Sequence, residues 1–360
     1  MKSVFIFGYY GFENLGDEAI LSSIVKMIKE KNSGVEIFAL SYNVKYTEQT
    51  HRINGVSRNS MRDICNAIRN SDLVISGGGS LLQDVTSSRS LIYYLALISI
   101  AKLFKKPVLF FCNGFGPIRK GLNKYLARKI INKVDKIVLR DPRSKKLMEE
   151  IGVTRSIEVT TDATFSLDSV KESRVKEIYE KEGIPRDKSL IGISVRPWNV
   201  GEDFIDIMAK FGDYAANRGL EVLFIPMQAS KDEEISKEII KRMEKKAHIL
   251  KSSYTPEEIL GIIGTLDILV AMRLHALIFA AIKEIPMIGL EYDPKVQAFL
   301  KMVDQNNAGK VEELDFLNLC IEFDNLFKER QDAAEKLHGI VKNLKEASQL
   351  NSDILGKMLK

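Results

Sequence analysis

The sequence predicts an α/β protein of two domains, each a parallel sheet flanked by helices, and two observations carry that prediction. Short apolar runs alternate with helix-period segments from residues 4–7 onward, the pattern of crossover units that build a parallel sheet. The alternation lapses over 166–188, where the chain turns polar and charged and Gly183 and Pro185 precede a fresh apolar strand, and then it restarts. The boundaries follow: a first Rossmann-like domain over 1–165, a linker over 166–188, a second over 189–310, and helices over 311–360 that pack back over the junction. Two such domains on a short linker would face across a cleft, with the active site between their sheet edges.

Composition narrows the classes of function. With 360 residues, 45% hydrophobic and 28% charged, the chain can bury two ordinary cores. A net charge of +5 suits an anionic substrate or a membrane surface but falls short of a nucleic-acid signature, so no nucleic acid partner is expected. Cys65, Cys112 and Cys320 are far apart and odd in number, which indicates neither a disulfide framework nor a zinc cluster and points to a reducing compartment. Histidines at 51, 248, 275 and 338 are scattered, so no metal site is expected. The first eight residues are broken by Gly8 too soon for a signal sequence. The longest apolar stretch, 91–104, contains Lys102 and is shorter than the roughly 20 residues that span a bilayer. No transmembrane segment is expected.

In the first half, residues 4–7 read as a strand and 19–31 as a helix, with a loop containing Gly8, Gly11 and Gly16 between them. Glycines let the backbone approach a ligand, and Asp17 or Asn14 can cap the helix. The glycine spacing does not match a dinucleotide fingerprint. Tyr9, Tyr10 and Asn14 suit a polyol, although a plain capped turn would use the same residue types. Strands follow at 35–40, 73–76, 108–112, 136–139 and 157–160, with helices at 61–70, 91–104, 121–132 and from Pro142. The helix at 91–104 reads as buried on most sides. The strand ends carry Gly77 to Ser80 with Gln83 and Asp84 beyond, Asn113 to Pro117, Arg140 with Asp141, and Asp162. In such sheets ligands bind outside those ends.

The second half repeats the layout. Strands at 190–195, 221–225, 248–250 and 268–271 alternate with helices at 203–218, 233–245, 256–263 and 274–281; after Pro286 stops the last helix a further strand closes the stretch 267–291, followed by a loop at 291–295. Arg273 and His275 sit where a strand ends and a helix begins. Unpaired N–H groups and the helix dipole make that place a receptor for phosphate or carboxylate, although a lone Arg or His there is more often solvated or capping. Arg140 and the glycine loops would line one wall, and Arg196, Gln228, Arg273, His275 and Lys295 the other. So many cations imply a multiply charged anion.

Taken together, the blocks at 8–19, 76–84, 113–117, 140–141, 272–276 and 292–295 resemble the polysaccharide pyruvyl transferases, most closely the CsaB type. The resemblance implies a fold similar to the GT-B glycosyltransferases. It implies transfer of the pyruvyl group of phosphoenolpyruvate to a sugar as a cyclic ketal, with release of phosphate. The acceptor would be N-acetylmannosamine of a lipid-linked precursor of a secondary cell-wall polymer, and the product would anchor surface-layer proteins. Such an enzyme works in the cytoplasm, peripherally at the inner membrane face, with phosphoenolpyruvate as donor substrate and no cofactor or metal. Arg273 and His275, with Leu274 between them, carry over as phosphoenolpyruvate contacts and Lys295 as a further basic contact; Arg140 and Arg196 complete the donor set. The acceptor-side candidates are Tyr9, Tyr10, Asn14, Asp17, Gly78, Gln83 and Asn113. Ketal formation needs an acid and a base. His275 can be the acid or can hold phosphate; Asp17 can be the base or a helix cap. Rival readings are a nucleotide-sugar glycosyltransferase on the same architecture and a non-catalytic glycan-binding protein.

Overall fold

The computed structural model describes residues 2–85, 87–185, 187–198, 202–251 and 253–360. Arg186, in the expected linker, and Asn199, in the loop expected after Val195, lie outside the described residues. The chain divides into two compact units, Met1–Leu167 with Leu344–Lys360, and Asp168–Asn343.

The strands of the first unit are β1 (Ser3–Phe7), β2 (Glu36–Ser41), β3 (Asn54–Ser57), β4 (Leu73–Gly77), β5 (Val108–Asn113), β6 (Lys136–Leu139) and β7 (Ile157–Val159). Its helices are α1 (Leu15–Lys31), α2 (Val44–His51), α3 (Met61–Asn70), α4 (Ser88–Leu103), α5 (Gly121–Ile131) and α6 (Pro142–Glu150). The seven strands lie in the order β3-β2-β1-β4-β5-β6-β7, and every pairing is parallel. The chain therefore runs outward from β1 to β3 and crosses back to β4, which leaves a topological switch point between β1 and β4. Both strands are buried at every residue, as helices on two faces require. Alternation divides β1 between two cores, Phe5 and Phe7 on one face, Val4 and Ile6 on the other.

Helix α4 departs from expectation. Leu91, Tyr94, Leu95 and Ile98 are buried, but Ile92 is 49% and Leu103 77% exposed, so only one face packs inward.

The second unit begins with α7 (Glu172–Glu182) and has strands β8 (Leu190–Ser194), β9 (Glu221–Phe224), β10 (Ala247–Ile249), β11 (Ile268–Ala271), β12 (Met287–Glu291) and β13 (Asn306–Lys310). Its further helices are α8 (Glu202–Asn217), α9 (Ala229–Arg242), α10 (Pro256–Ile263), α11 (Leu274–Ile282), α12 (Pro294–Met302) and α13 (Phe316–Lys328), and α14 (Arg330–Met358) begins in this unit and ends in the first. Six parallel strands lie in the order β10-β9-β8-β11-β12-β13, with the switch point between β8 and β11.

Three segments differ from their expected form. The stretch expected as a linker contains α7, whose Val175, Ile178 and Tyr179 are buried at helical spacing, and it belongs to the second unit. The loop expected at 291–295 is short, because Asp293 accepts from Lys295 N at 2.9 Å and starts α12 with Pro294 in its first turn. The tail is shared: α13 packs on α8 in the second unit, whereas Ile354, Leu355 and Leu359 near the chain end join a core of the first. No described helix is long and apolar enough to cross a membrane.

Candidate functional site

At the switch point of the second unit, β11 ends in Arg273, which is the N-cap of α11. Its carbonyl accepts from Ala276 N and Leu277 N at 3.0 and 3.2 Å, so the backbone is committed to starting the helix. The side chain points elsewhere. Nε donates to Asp232 Oδ2 at 2.8 Å, and Nη2 donates to Asp232 Oδ1 and, at 3.3 Å, to Gln228 Oε1. Asp232 is fully buried in the first turn of α9 and also accepts from Met227 N and Gln228 N. Its carboxylate is thus held by backbone and in turn fixes the Arg273 fork. Leu274 is buried, so what it can offer a ligand is its N–H in the first turn of α11. His275 follows in the same turn, half-buried.

The other cations expected in this half gather on one ring. The Arg196 guanidinium lies 4.8 Å from the Tyr292 ring centroid and 5.2 Å from that of Trp198. Lys295 Nζ lies 5.4 Å from the Tyr292 centroid. Burial alone would raise the Tyr292 phenol, but Lys295, then Arg196 and Arg273, outweigh it and bring the phenol below its ordinary pKa. The phenol therefore reports a positive field built by three side chains from the ends of β8, β11 and β12. Such a field, beside a helix N-terminus, suits a ligand with more than one negative charge.

In the first unit the corresponding edge is built around glycine. The Asn14 side chain accepts from Gly16 N at 3.3 Å and caps α1. Asp17 is therefore not the cap; it sits in the first turn. Gly79, with φ +67°, passes so close that an added Cβ would lie 3.1 Å from Asp17 Oδ1, so the second glycine loop runs directly past that carboxylate. Asn113, nearly buried, donates to Gly78 O at 3.1 Å and to Ser76 Oγ at 3.4 Å, while its Oδ1 has no hydrogen-bond partner among the described residues. Gln83 Oε1 accepts from Val85 N. Tyr9 stacks on Phe12 and Phe12 on Tyr42, with centroids 4.0 and 4.6 Å apart.

Two expected contacts take other roles here. Tyr10 is 1% exposed and donates to Gly77 O at 2.6 Å, so its phenol braces β4 from inside the core and does not face an acceptor. Arg140 is buried, with Nη1 donating to Asp162 Oδ2 at 2.8 Å and Nη2 to Ser80 Oγ at 3.4 Å. Burial opposes its charge, but Asp162, then Asp141, more than offset that and hold the proton. Arg140 is a neutralised brace of the strand ends.

Four residues outside the expected set shape these edges: Asp232, Tyr292, Glu18 and Asp84. Glu18, fully buried, accepts from Gly11 N at 2.8 Å and pairs with His51 Nε2 at 2.9 Å, which pins the first loop. Asp84 accepts from the backbone N of Arg119 and Lys120 and from Asn123, at 2.7 to 3.0 Å, and so clamps the start of α5. Glu18, Asp84 and Tyr292 lay within the motif blocks; Asp232 lay outside them and carries only the sign of an acid in a helix's first turn. Among the described residues, no group of three or more His, Cys, Asp or Glu could hold a metal.

The model of the polysaccharide pyruvyl transferase family matches residues 14–294. No curated protein matches the chain in sequence. Among solved structures it is similar to the UDP-GlcNAc 2-epimerase of Neisseria meningitidis, with TM-score 0.68 and 14% identity over 100% of this chain and 99% of that one. A glycosyltransferase from Rickettsia africae gives TM-score 0.63 and 15% identity over 100% and 99%. The ADP-heptose LPS heptosyltransferase II of E. coli gives 0.54 and 12% over 92% and 100%. At such identities the likeness shows the fold, two parallel-sheet α/β domains of the GT-B kind.

Proposed function

Because this chain belongs to the polysaccharide pyruvyl transferase family, we propose that it transfers the pyruvyl group of phosphoenolpyruvate to a sugar as a cyclic ketal. The observation that carries the choice of donor is the convergence of Arg196 and Lys295 on the Tyr292 ring, whose phenol also feels the charge of Arg273 at the N-terminus of α11. Phosphoenolpyruvate has a phosphate and a carboxylate; Arg196 and Lys295 offer them charge, and Arg273, whose Nε and Nη2 are taken by Asp232, adds its remaining N–H groups. The acceptor proposed is N-acetylmannosamine of a lipid-linked precursor of a secondary cell-wall polymer, as in CsaB-type enzymes, met from the cytoplasmic side by a protein that touches the membrane peripherally.

The chemistry assigns roles. His275 protonates C3 of the enol, C2 becomes oxocarbenium-like, and one sugar hydroxyl adds there. The C2–O bond to phosphate then breaks and the second hydroxyl closes the ketal. Two hydroxyl protons are lost: Asp17, as base, takes the one from the attacking hydroxyl and passes it to the departing phosphate, and the one from the second hydroxyl restores His275. Tyr9, Asn14, Gly78, Gln83 and Asn113 make up the acceptor side.

The test is phosphate release from phosphoenolpyruvate with a soluble β-linked N-acetylmannosamine disaccharide. Release that depends on acceptor and falls by about 10²–10⁴ in His275→Ala is the expected result for a lost general acid. Arg273→Lys should raise KM for phosphoenolpyruvate and leave KM for the sugar unchanged. Absence of release with any aminosugar, together with binding of a nucleotide sugar, would replace this reading by glycosyl transfer.

A further inference from the structure

We infer that helix α5 docks the protein onto an anionic lipid surface. Between residues 119 and 133 the chain carries Arg119, Lys120, Lys124, Arg128, Lys129 and Lys133 and no Asp or Glu. All six are exposed, and none pairs with a carboxylate among the described residues. Arg128 and Lys129 lie 5.7 and 5.9 Å from the Tyr125 ring centroid, and Lys120 Nζ donates to Ser88 Oγ at 2.9 Å. Set among these cations are Leu122, 70% exposed, and Tyr125, 48% exposed.

The arrangement follows from how α5 packs. Asn123, Ala127 and Ile131 are buried, four residues apart, and form the inner stripe. Leu122, Tyr125 and Lys129 then recur at three and four residues on the outer side. A soluble polyanion calls for the cations alone. Leucine and tyrosine projecting among cations suit a bilayer, where the apolar side chains enter below the headgroups and the charges meet them. The surface also connects to the proposed acceptor side, because the Asp84 carboxylate that clamps the start of α5 lies just beyond the Gly77 to Ser80 loop. Its hydrogen bonds from Lys120 N, Asn123 and Arg119 N outweigh burial and hold the carboxyl below its usual pKa, so the clamp is charged at neutral pH. The inference deepens the function proposed above by naming the surface that would meet a lipid-linked acceptor, and its test needs no substrate.

The full chain is sedimented with vesicles of phosphatidylcholine alone and with vesicles enriched in phosphatidylglycerol. Binding is expected to the anionic vesicles only and to weaken as salt rises. Lys124→Glu, Arg128→Glu and Lys129→Glu together should weaken it about a hundredfold or more. Leu122→Ser with Tyr125→Ser should weaken it about tenfold or more while leaving retention on heparin unchanged. Equal binding to neutral vesicles, no binding by the wild type, or indifference to the charge reversals overturns the inference. So does duplex DNA binding that needs the cations, coupled with vesicle binding indifferent to Leu122 and Tyr125. Circular dichroism confirms that the variants fold, and their phosphate release with the soluble disaccharide should match the wild type. Loss of release in the wild type itself would count against the proposed reaction and leave the vesicle result standing.

Discussion

Arg273 and Asp232 hold each other in place, and neither is tolerable alone. Asp232 is fully buried and Arg273 7% exposed, so removing one leaves a buried charge. Asp232→Ala should cost about 3–5 kcal/mol of stability, read as a lower denaturant midpoint. Tyr292 offers a spectroscopic check on the neighbouring field. Its folded pKa is depressed, so ionisation favours the folded chain. That contribution is absent at neutral pH, grows as pH rises through the folded value, and is complete above the ordinary tyrosine value of about 10. In an alkaline titration followed by phenolate absorbance, Tyr292→Phe should remove the earliest-titrating tyrosine, and phosphoenolpyruvate should delay it in the wild type. At this scale the sequence reveals the helix starts that carry Arg273, His275 and Lys295, because such starts can be read from periodicity and Pro. It hides Asp232, whose partner lies 41 residues on and whose local sign is merely an acid in a first turn. Tyr10 misleads for the opposite reason: its residue type suits a sugar, and only packing shows the ring inside the core.

The loops are where elements and chemistry meet, and the pair formed by Gly79 and Asp17 tests that connection. A Cβ at Gly79 would press on Asp17 Oδ1, and the residue would have to hold φ +67°. Gly79→Ala should therefore cost about 1–2 kcal/mol for the left-handed backbone and lower kcat by displacing Asp17, with KM for phosphoenolpyruvate little changed; steady-state kinetics on the folded variant decide it. An unchanged kcat would remove Asp17 from the reaction. The alternation of strands and helices is plain in sequence because β1, β4, β5, β8 and β11 are buried on both faces and read as continuous apolar runs. Two of the four edge strands are not. Only Val56 of β3 and Ala308 of β13 are buried, which leaves no run to recognise. Helix α2 fails for the same reason, with Thr47 and His51 its only buried residues.

For the molecule as a whole, the division into units depends on a segment that sequence position assigns wrongly. Residues 344–360 follow the second unit in the chain yet count with the first. Leu355 is 0%, Ile354 5% and Leu359 7% exposed in the core that also holds Val4, Ile6, Ile24 and Ile28. Asn351 Nδ2 donates to Thr161 O at 3.2 Å. Nothing in a polar, lysine-rich amphipathic helix tells which sheet its apolar stripe will cover, because that is set by the shape of the surface it meets. The placement makes a sharp demand. Leu355→Ala should destabilise by about 2–5 kcal/mol, the cost of a buried leucine lost to a cavity. Because each unit has its own core, the loss should stay in the first. Amide hydrogen exchange should speed up in β1, β2 and α1 and remain unchanged in β8 to β13. Equal acceleration in both sheets would mean that the two units unfold as one cooperative body; acceleration confined to the second would place the chain end in the wrong core.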